Sequence, residues 1–108
     1  MTMDEYQQKA LTTAKDDGVE LMHRALGVAS EAGEIAGKLN KWLRDYKGDI
    51  TKLDKKALAA EIGDLLWFTA TLSENIGFSL DEIAKMNLKK LADRKKRGVL
   101  THAEGDNR

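Results

Sequence analysis

Glu31-Ala32-Gly33-Glu34 and, thirty residues on, Glu61-Ile62-Gly63-Asp64 repeat one pattern: acid, any residue, glycine, acid. Acids three apart occupy neighbouring rows of one helix surface, where like charges repel. A glycine inside a helix costs about 1 kcal/mol relative to alanine. A chain that accepts both penalties twice, in the same arrangement, points to a use for the acids.

The residues around each motif read as helix. Advancing 100° per residue, Val28, Ala32, Ile35, Leu39, Trp42 and Tyr46 form one apolar stripe on a helix from about Glu20 to Tyr46. Glu31 lies at the edge of that stripe, and Glu34 about 60° further out. A second stripe, Leu58, Ile62, Leu65, Thr69, Leu72 and Ile76, marks a helix from the N-cap Asp54 to about Ile76. Glu61 again sits at the edge and Asp64 about 60° beyond. Gly48-Asp49-Ile50-Thr51 between them is turn chemistry, and so short a connection makes the two helices antiparallel neighbours.

The spacing of the acids alone carries little. Eighteen acids in 108 positions give about three such pairs by chance, and the chain has three, the third being Asp17/Glu20. The shared phase against two apolar stripes is the stronger signal, because it turns four carboxylates toward one cleft between the helices.

The chain ends supply two more helices. Thr2 and Glu5 form a capping box for a first helix with Tyr6, Ala10, Thr13 and Ala14 on one side and Gly18 as its stop. Ser79 and Glu82 form another, opening a fourth helix whose inner side is Leu80, Ile83, Ala84, Asn87, Leu88 and Leu91. Asn87 is a polar residue within that stripe and needs a partner there. Lys90 and Arg94 follow at i+3 and i+7, and Gly98 ends the helix before a polar tail. The expectation is one all-α domain over residues 1–108, a four-helix bundle-like fold with residues 98–108 as its tail.

Composition removes several alternatives. With no cysteine, disulfides, zinc thiolates and thiol catalysis are excluded, and with no proline nothing interrupts long helices. Lys+Arg and Asp+Glu balance at 18 each, which argues against a nucleic-acid polymer as partner. No apolar run is long enough for a membrane span, and the N-terminus does not read as a signal peptide, so the expected compartment is the cytoplasm.

Four clustered carboxylates repel unless a cation neutralises them, and oxygen-only donors select a hard ion, Mg²⁺ or Mn²⁺. A di-iron carboxylate bundle needs Glu-x-x-His pairs on its helices. Neither acid motif contains a histidine, so that reading is set aside. Lys38, Lys41 and Arg44 extend the face that carries Glu34, while Trp42, Trp67 and Tyr46 offer rings on which a base can stack. Of these, Lys41 and Trp42 are the candidates for substrate binding.

Glu31-x-x-Glu34, 26 intervening residues, then Glu61-x-x-Asp64 resembles the ExxE…ExxD signature of the all-α nucleoside triphosphate pyrophosphohydrolases. Tyr6-Gln7, Leu26-Gly27, Lys41-x-x-Arg44-Asp45, Leu65-Leu66-Trp67, the run from Asn87 to Arg94 and the ending Gly105-Asp106-Asn107-Arg108 are similar to the compact MazG-like branch. The resemblance implies Mg²⁺-dependent hydrolysis of a nucleoside triphosphate between its α- and β-phosphates, as nucleotide-pool housekeeping. It implies that Glu31, Glu34, Glu61 and Asp64 bind the metal and carry the catalysis. It places Asn87, Lys90 and Arg94 near the substrate, the basic pair on phosphates, and it implies a homodimer or a tetramer built from dimers. The alternatives are a diphosphate or phosphoribosyl-nucleotide substrate, or a non-catalytic helical interaction module.

Overall fold

A computed structural model describes residues 1–98; the tail expected beyond Gly98 lies outside the described residues. Four α-helices follow in order, α1 Met3–Leu11, α2 Glu20–Tyr46, α3 Lys55–Asn75 and α4 Leu80–Arg97, with a single 3₁₀ turn at Ile50–Lys52 and no strand among the described residues. The fold is all-α, as expected.

Local chemistry sets most helix ends. Thr2 Oγ1 accepts from Glu5 N at 3.1 Å, and Asp54 Oδ1 accepts from Ala57 N at 2.9 Å. At α4 the capping box is reciprocal: Ser79 Oγ accepts from Glu82 N at 3.1 Å, and Glu82 Oε1 from Ser79 N at 3.0 Å. The expected stop at Gly18 is corrected, since α1 ends at Leu11. There the Thr12 and Thr13 hydroxyls donate to Lys9 O (2.6 Å) and Ala10 O (2.9 Å), taking carbonyls that a continuing helix would use. At the other end of α2, Lys47 (φ 52°) and Gly48 (φ 76°) turn the chain through two successive left-handed residues.

Helices α2 and α3 form the main antiparallel pair, and Val28, Ile35, Leu39, Leu58, Leu65 and Leu72 are half-buried. The pair packs tightly at Gly27, where an added Cβ would overlap the Phe68 ring. Gly33 and Gly63, the glycines of the two acid motifs, have nothing within 4 Å of such a Cβ. The close packing belongs to Gly27, because only there does a ring fill the glycine's space.

Polar side chains hold the remaining pieces. Gln7, 1% exposed, donates to Ala70 O (3.2 Å) and Phe78 O (3.0 Å) and accepts from Leu80 N (2.9 Å), tying α1 to α3 and to the start of α4. Trp67 Nε1 reaches Ala10 O (3.2 Å) and Thr13 Oγ1 (3.0 Å), and its ring meets Phe68 edge-on at 5.0 Å. Buried Arg24 donates to Asn75 Oδ1 (2.6 Å), Thr71 O (3.4 Å) and Lys15 O (3.5 Å), fastening α2 to α3 and to the 12–19 loop.

Two expected stripes are only partly covered. On α3, Ile62 and Ile76 are exposed, and the buried residues are Ala70, Thr71 and Ser73, whose hydroxyls return to Trp67 O and Thr69 O. On α4, Leu80 is buried, whereas Asn87 and Leu88 (66% exposed) are not. The reason is position: α4 packs mainly on α1, a helix of nine residues, too short to cover its length.

Candidate metal centre

Helix α2 supplies Glu31 and helix α3 supplies Glu61 and Asp64, and one oxygen from each lies within 4.8 Å of the others. Glu31 and Glu61 are half-buried and Asp64 is exposed, so the cluster sits in the cleft between α2 and α3 with one side open. Loss of water around Glu31 raises its carboxyl above the usual range. A hydrogen bond with Glu61 and the charges of Asp64, Glu61 and Glu34 push it the same way. Four acids thus act on one another, but Glu34 stands outside the three-oxygen group and is exposed.

Lys38, one turn beyond Glu34, places Nζ 3.8 Å from Glu61 Oε1 and is the only cation within ion-pair distance of the cluster among the described residues. From the other side α1 brings up Tyr6. Burial, then the charge of Asp64, raises the Tyr6 hydroxyl above its usual pKa.

The remaining expected site residues fall in two places. Lys41 and Trp42 line a cavity of about 230 Å³ with Lys38, Asp45, Tyr46 and Lys52, at the closed end of the α2–α3 pair. Trp42 is fixed there by a 2.8 Å hydrogen bond from Nε1 to Asp49 O. Asn87 instead lines a shallow groove with Met3, Leu80 and Ile83. Lys90 is exposed, and Arg94 is half-buried with its Nε enclosed and without a hydrogen-bond partner. No hydrogen bond or ion pair among the described residues joins Asn87, Lys90 or Arg94 to the acids.

Trp67, offered above as a possible base-stacking ring, is engaged in holding α1. One Glu-x-x-His spacing does occur, from Glu20 to His23. It forms no metal group with the acid motifs: Glu20 accepts from Gly18 N at 2.7 Å, and His23 Nδ1 lies 3.0 Å from Asp17 Oδ2. Tyr6, Lys38 and Lys52 are additions to the site region. Lys38 was legible as the i+4 neighbour of Glu34; Lys52 carried no periodic signal.

The donor set fits a hard divalent cation. It is all oxygen, and it holds mutually repelling carboxylates close together with a single lysine against them. Such an ion neutralises phosphate oxygens and makes a bound water more acidic. A carboxylate left partly free at its edge can take a proton.

The described helices thus form an all-α chain with a cluster of three carboxylates on its main helix pair. The chain belongs to the MazG nucleotide pyrophosphohydrolase family, whose domain matches residues 21–99. The match starts after α1, so Tyr6 and Gln7 lie outside it. Over 115 aligned residues, covering all of both chains, it is 41% identical to the "Gene 37 protein" of Mycobacterium phage L5, a name that states no activity. No solved structure matches. Nucleotide pyrophosphohydrolase chemistry with a divalent metal is the general activity of the family.

Proposed function

We propose that this chain hydrolyses nucleoside triphosphates between the α- and β-phosphates in a Mg²⁺-dependent reaction, with Mn²⁺ as a substitute. The observation that carries the reading is the convergence of Glu31, Glu61 and Asp64 within 4.8 Å on a MazG domain. Water attacks the α-phosphorus in line with the leaving oxygen; the bond from that phosphorus to the bridging oxygen breaks, giving monophosphate and pyrophosphate. A carboxylate of the cluster accepts the water's proton, and Glu34 joins as a fourth acid when the charge beside it is neutralised. Lys41 and Trp42 contact the substrate from the closed end of the helix pair, and Asn87, Lys90 and Arg94 from α4.

The same reading takes the protein as a cytoplasmic homodimer or tetramer. Leu88, Met86, Met22 and Leu26 are exposed. The radius of gyration, 16.8 Å, exceeds the roughly 13 Å of a compact chain near this length. Apolar surface of that extent is covered when copies associate. No helix among the described residues is long and apolar enough to cross a membrane.

The deciding experiment is a panel of nucleoside tri- and diphosphates with Mg²⁺, scoring monophosphate and pyrophosphate. Release of pyrophosphate from a triphosphate supports the reading. Orthophosphate from diphosphates alone would move the substrate class, and no turnover of any would favour a helical interaction module.

A further inference from the structure

Helix α2 confines its charge to one side. Between Leu21 and Leu43 its titratable side chains are His23, Arg24, Glu31, Glu34, Lys38 and Lys41. Advancing 100° per residue, all of them fall within an arc of about 100°, on the side toward α3 and the acid cluster. The rest of that segment's surface, where a helix facing water carries its charges, has none. Met22, Ala25, Ala29, Ala32, Ala36 and Leu43 lie there and are exposed. Helix α3 repeats the pattern: from Ala57 to Ser73 its only charged residues are Glu61 and Asp64.

The bare surfaces of the two helices are continuous. Glu34 on α2 and Asp64 on α3 each stand about 80° to one side of the contact between the helices. Both act on Glu31, so that side is the acid face. Ala32 on α2 and Ile62 on α3 stand about 80° to the other side. Ile62 is exposed on it, and Leu66, one turn on, is half-buried. Small residues keep the middle of this second face low: a Cβ added at Gly33 meets nothing within 4 Å, and Ala29 and Ala36 flank it. Met22, Leu26 and Leu43 stand higher toward the ends of α2.

No described element covers this face, since α4 packs mainly on α1. The ten residues after Gly98 bring Val99, Leu100 and Ala103 as apolar side chains against His102, Glu104, Asp106 and Arg108, too few to bury it. Helix α3, with 21 residues, is about 30 Å long, and two helices side by side are about 20 Å wide. Two such faces laid together enclose on the order of 1,200 Å², counted over both copies, which is where stable specific interfaces begin. Depletion of charge across the whole patch is the mark of an interface core. A face of this kind meeting itself forms a closed, two-fold contact.

We infer that the uncharged face of α2 and α3 is where a second copy of the chain docks, leaving both acid clusters open on the outer sides of the pair. This deepens the oligomer of the proposed function by naming its surface, and it rests on that reading.

Sedimentation velocity of the full chain tests it, beside Ala29→Glu and Ala36→Glu on the face and Leu88→Glu on α4. The unaltered chain and Leu88→Glu should sediment as dimers or larger, while each charge on the face should weaken association about a hundredfold or more. Glutamate is a good helix former, so helical circular dichroism should persist in the variants. Because the chain has no cysteine, Ala29→Cys, Gly33→Cys and Ala36→Cys give a second readout that does not depend on the monomer being stable. At least one of them should form a disulfide-linked dimer on mild oxidation, and Lys89→Cys should not. Persistent association of both glutamate variants, with no cross-link at any of the three cysteines, would overturn the surface and leave the oligomer standing. Dissociation by Leu88→Glu alone would do the same and assign the contact to α4. A monomeric unaltered chain would overturn both. Hydrolysis is not read, so loss of the proposed activity would leave the result unaffected.

Discussion

Lys38 on α2 and Glu61 on α3 face each other across the helix pair at 3.8 Å, so the carboxylate cluster and the cavity at the closed end of the pair meet at one ion pair.

The acids should make stability depend on pH in a way that metal reverses. The Glu31 carboxyl is raised from its ordinary 4.5 by loss of water and by Glu61, Asp64 and Glu34. A raised carboxyl favours the folded protein while it is protonated, so its contribution is present below about 4.5 and is lost as pH rises through the folded value. Metal-free protein should lose that increment toward neutral pH. Added Mg²⁺ should then raise the melting temperature more at about pH 8 than at about pH 4.5. Equal increments at the two pH values would show that Glu31 does not contribute to the metal site.

Gly27→Ala should cost about 1–3 kcal/mol, because the new methyl overlaps Phe68 and the ring must move. For a domain of this size each kcal/mol lowers the melting temperature by about 4–8 °C. Gly33→Ala and Gly63→Ala have open space around the added carbon and should be neutral or stabilising by up to about 1 kcal/mol. Thermal melts of the three variants check the contrast.

Gln7→Ala should cost about 1–3 kcal/mol by leaving Leu80 N and the Ala70 and Phe78 carbonyls without their partner. Since Gln7 joins α1 to the start of α4, hydrogen exchange should accelerate first in Leu80–Arg97 and least in the middle of α2. Uniform acceleration along the chain would mean that α4 is not held by this residue.

The helix plan was legible because its signals are local. Thr2, Asp54 and Ser79 cap the helices as read, and the phase of Glu31, Glu61 and Asp64 against their stripes put their oxygens in one place. What the residues did not disclose depends on partners far along the chain. Gln7 meets Leu80, 73 positions away, and Arg24 meets Asn75, 51 away, with no periodicity to announce either. Gly27 gave no sign of Phe68, while Gly33 and Gly63 drew attention by sitting in the motifs. The stripes also overstated burial. Ile62, Ile76 and Leu88 are apolar at helical spacing, yet they are exposed, because a periodic pattern does not state how much of a face the neighbouring helix is long enough to cover.

Glu61 and Asp64, with Glu31, are proposed to hold the metal on which hydrolysis depends. Glu61→Gln and Asp64→Asn each keep shape and remove one charge, so the described helices should persist. Pyrophosphate release from a nucleoside triphosphate in Mg²⁺, measured beside the Mg²⁺-induced shift in melting temperature, tests the claim most directly. Each variant should lose release by about a hundredfold or more and lose the thermal shift with it. Full release with an intact shift in both variants would contradict it.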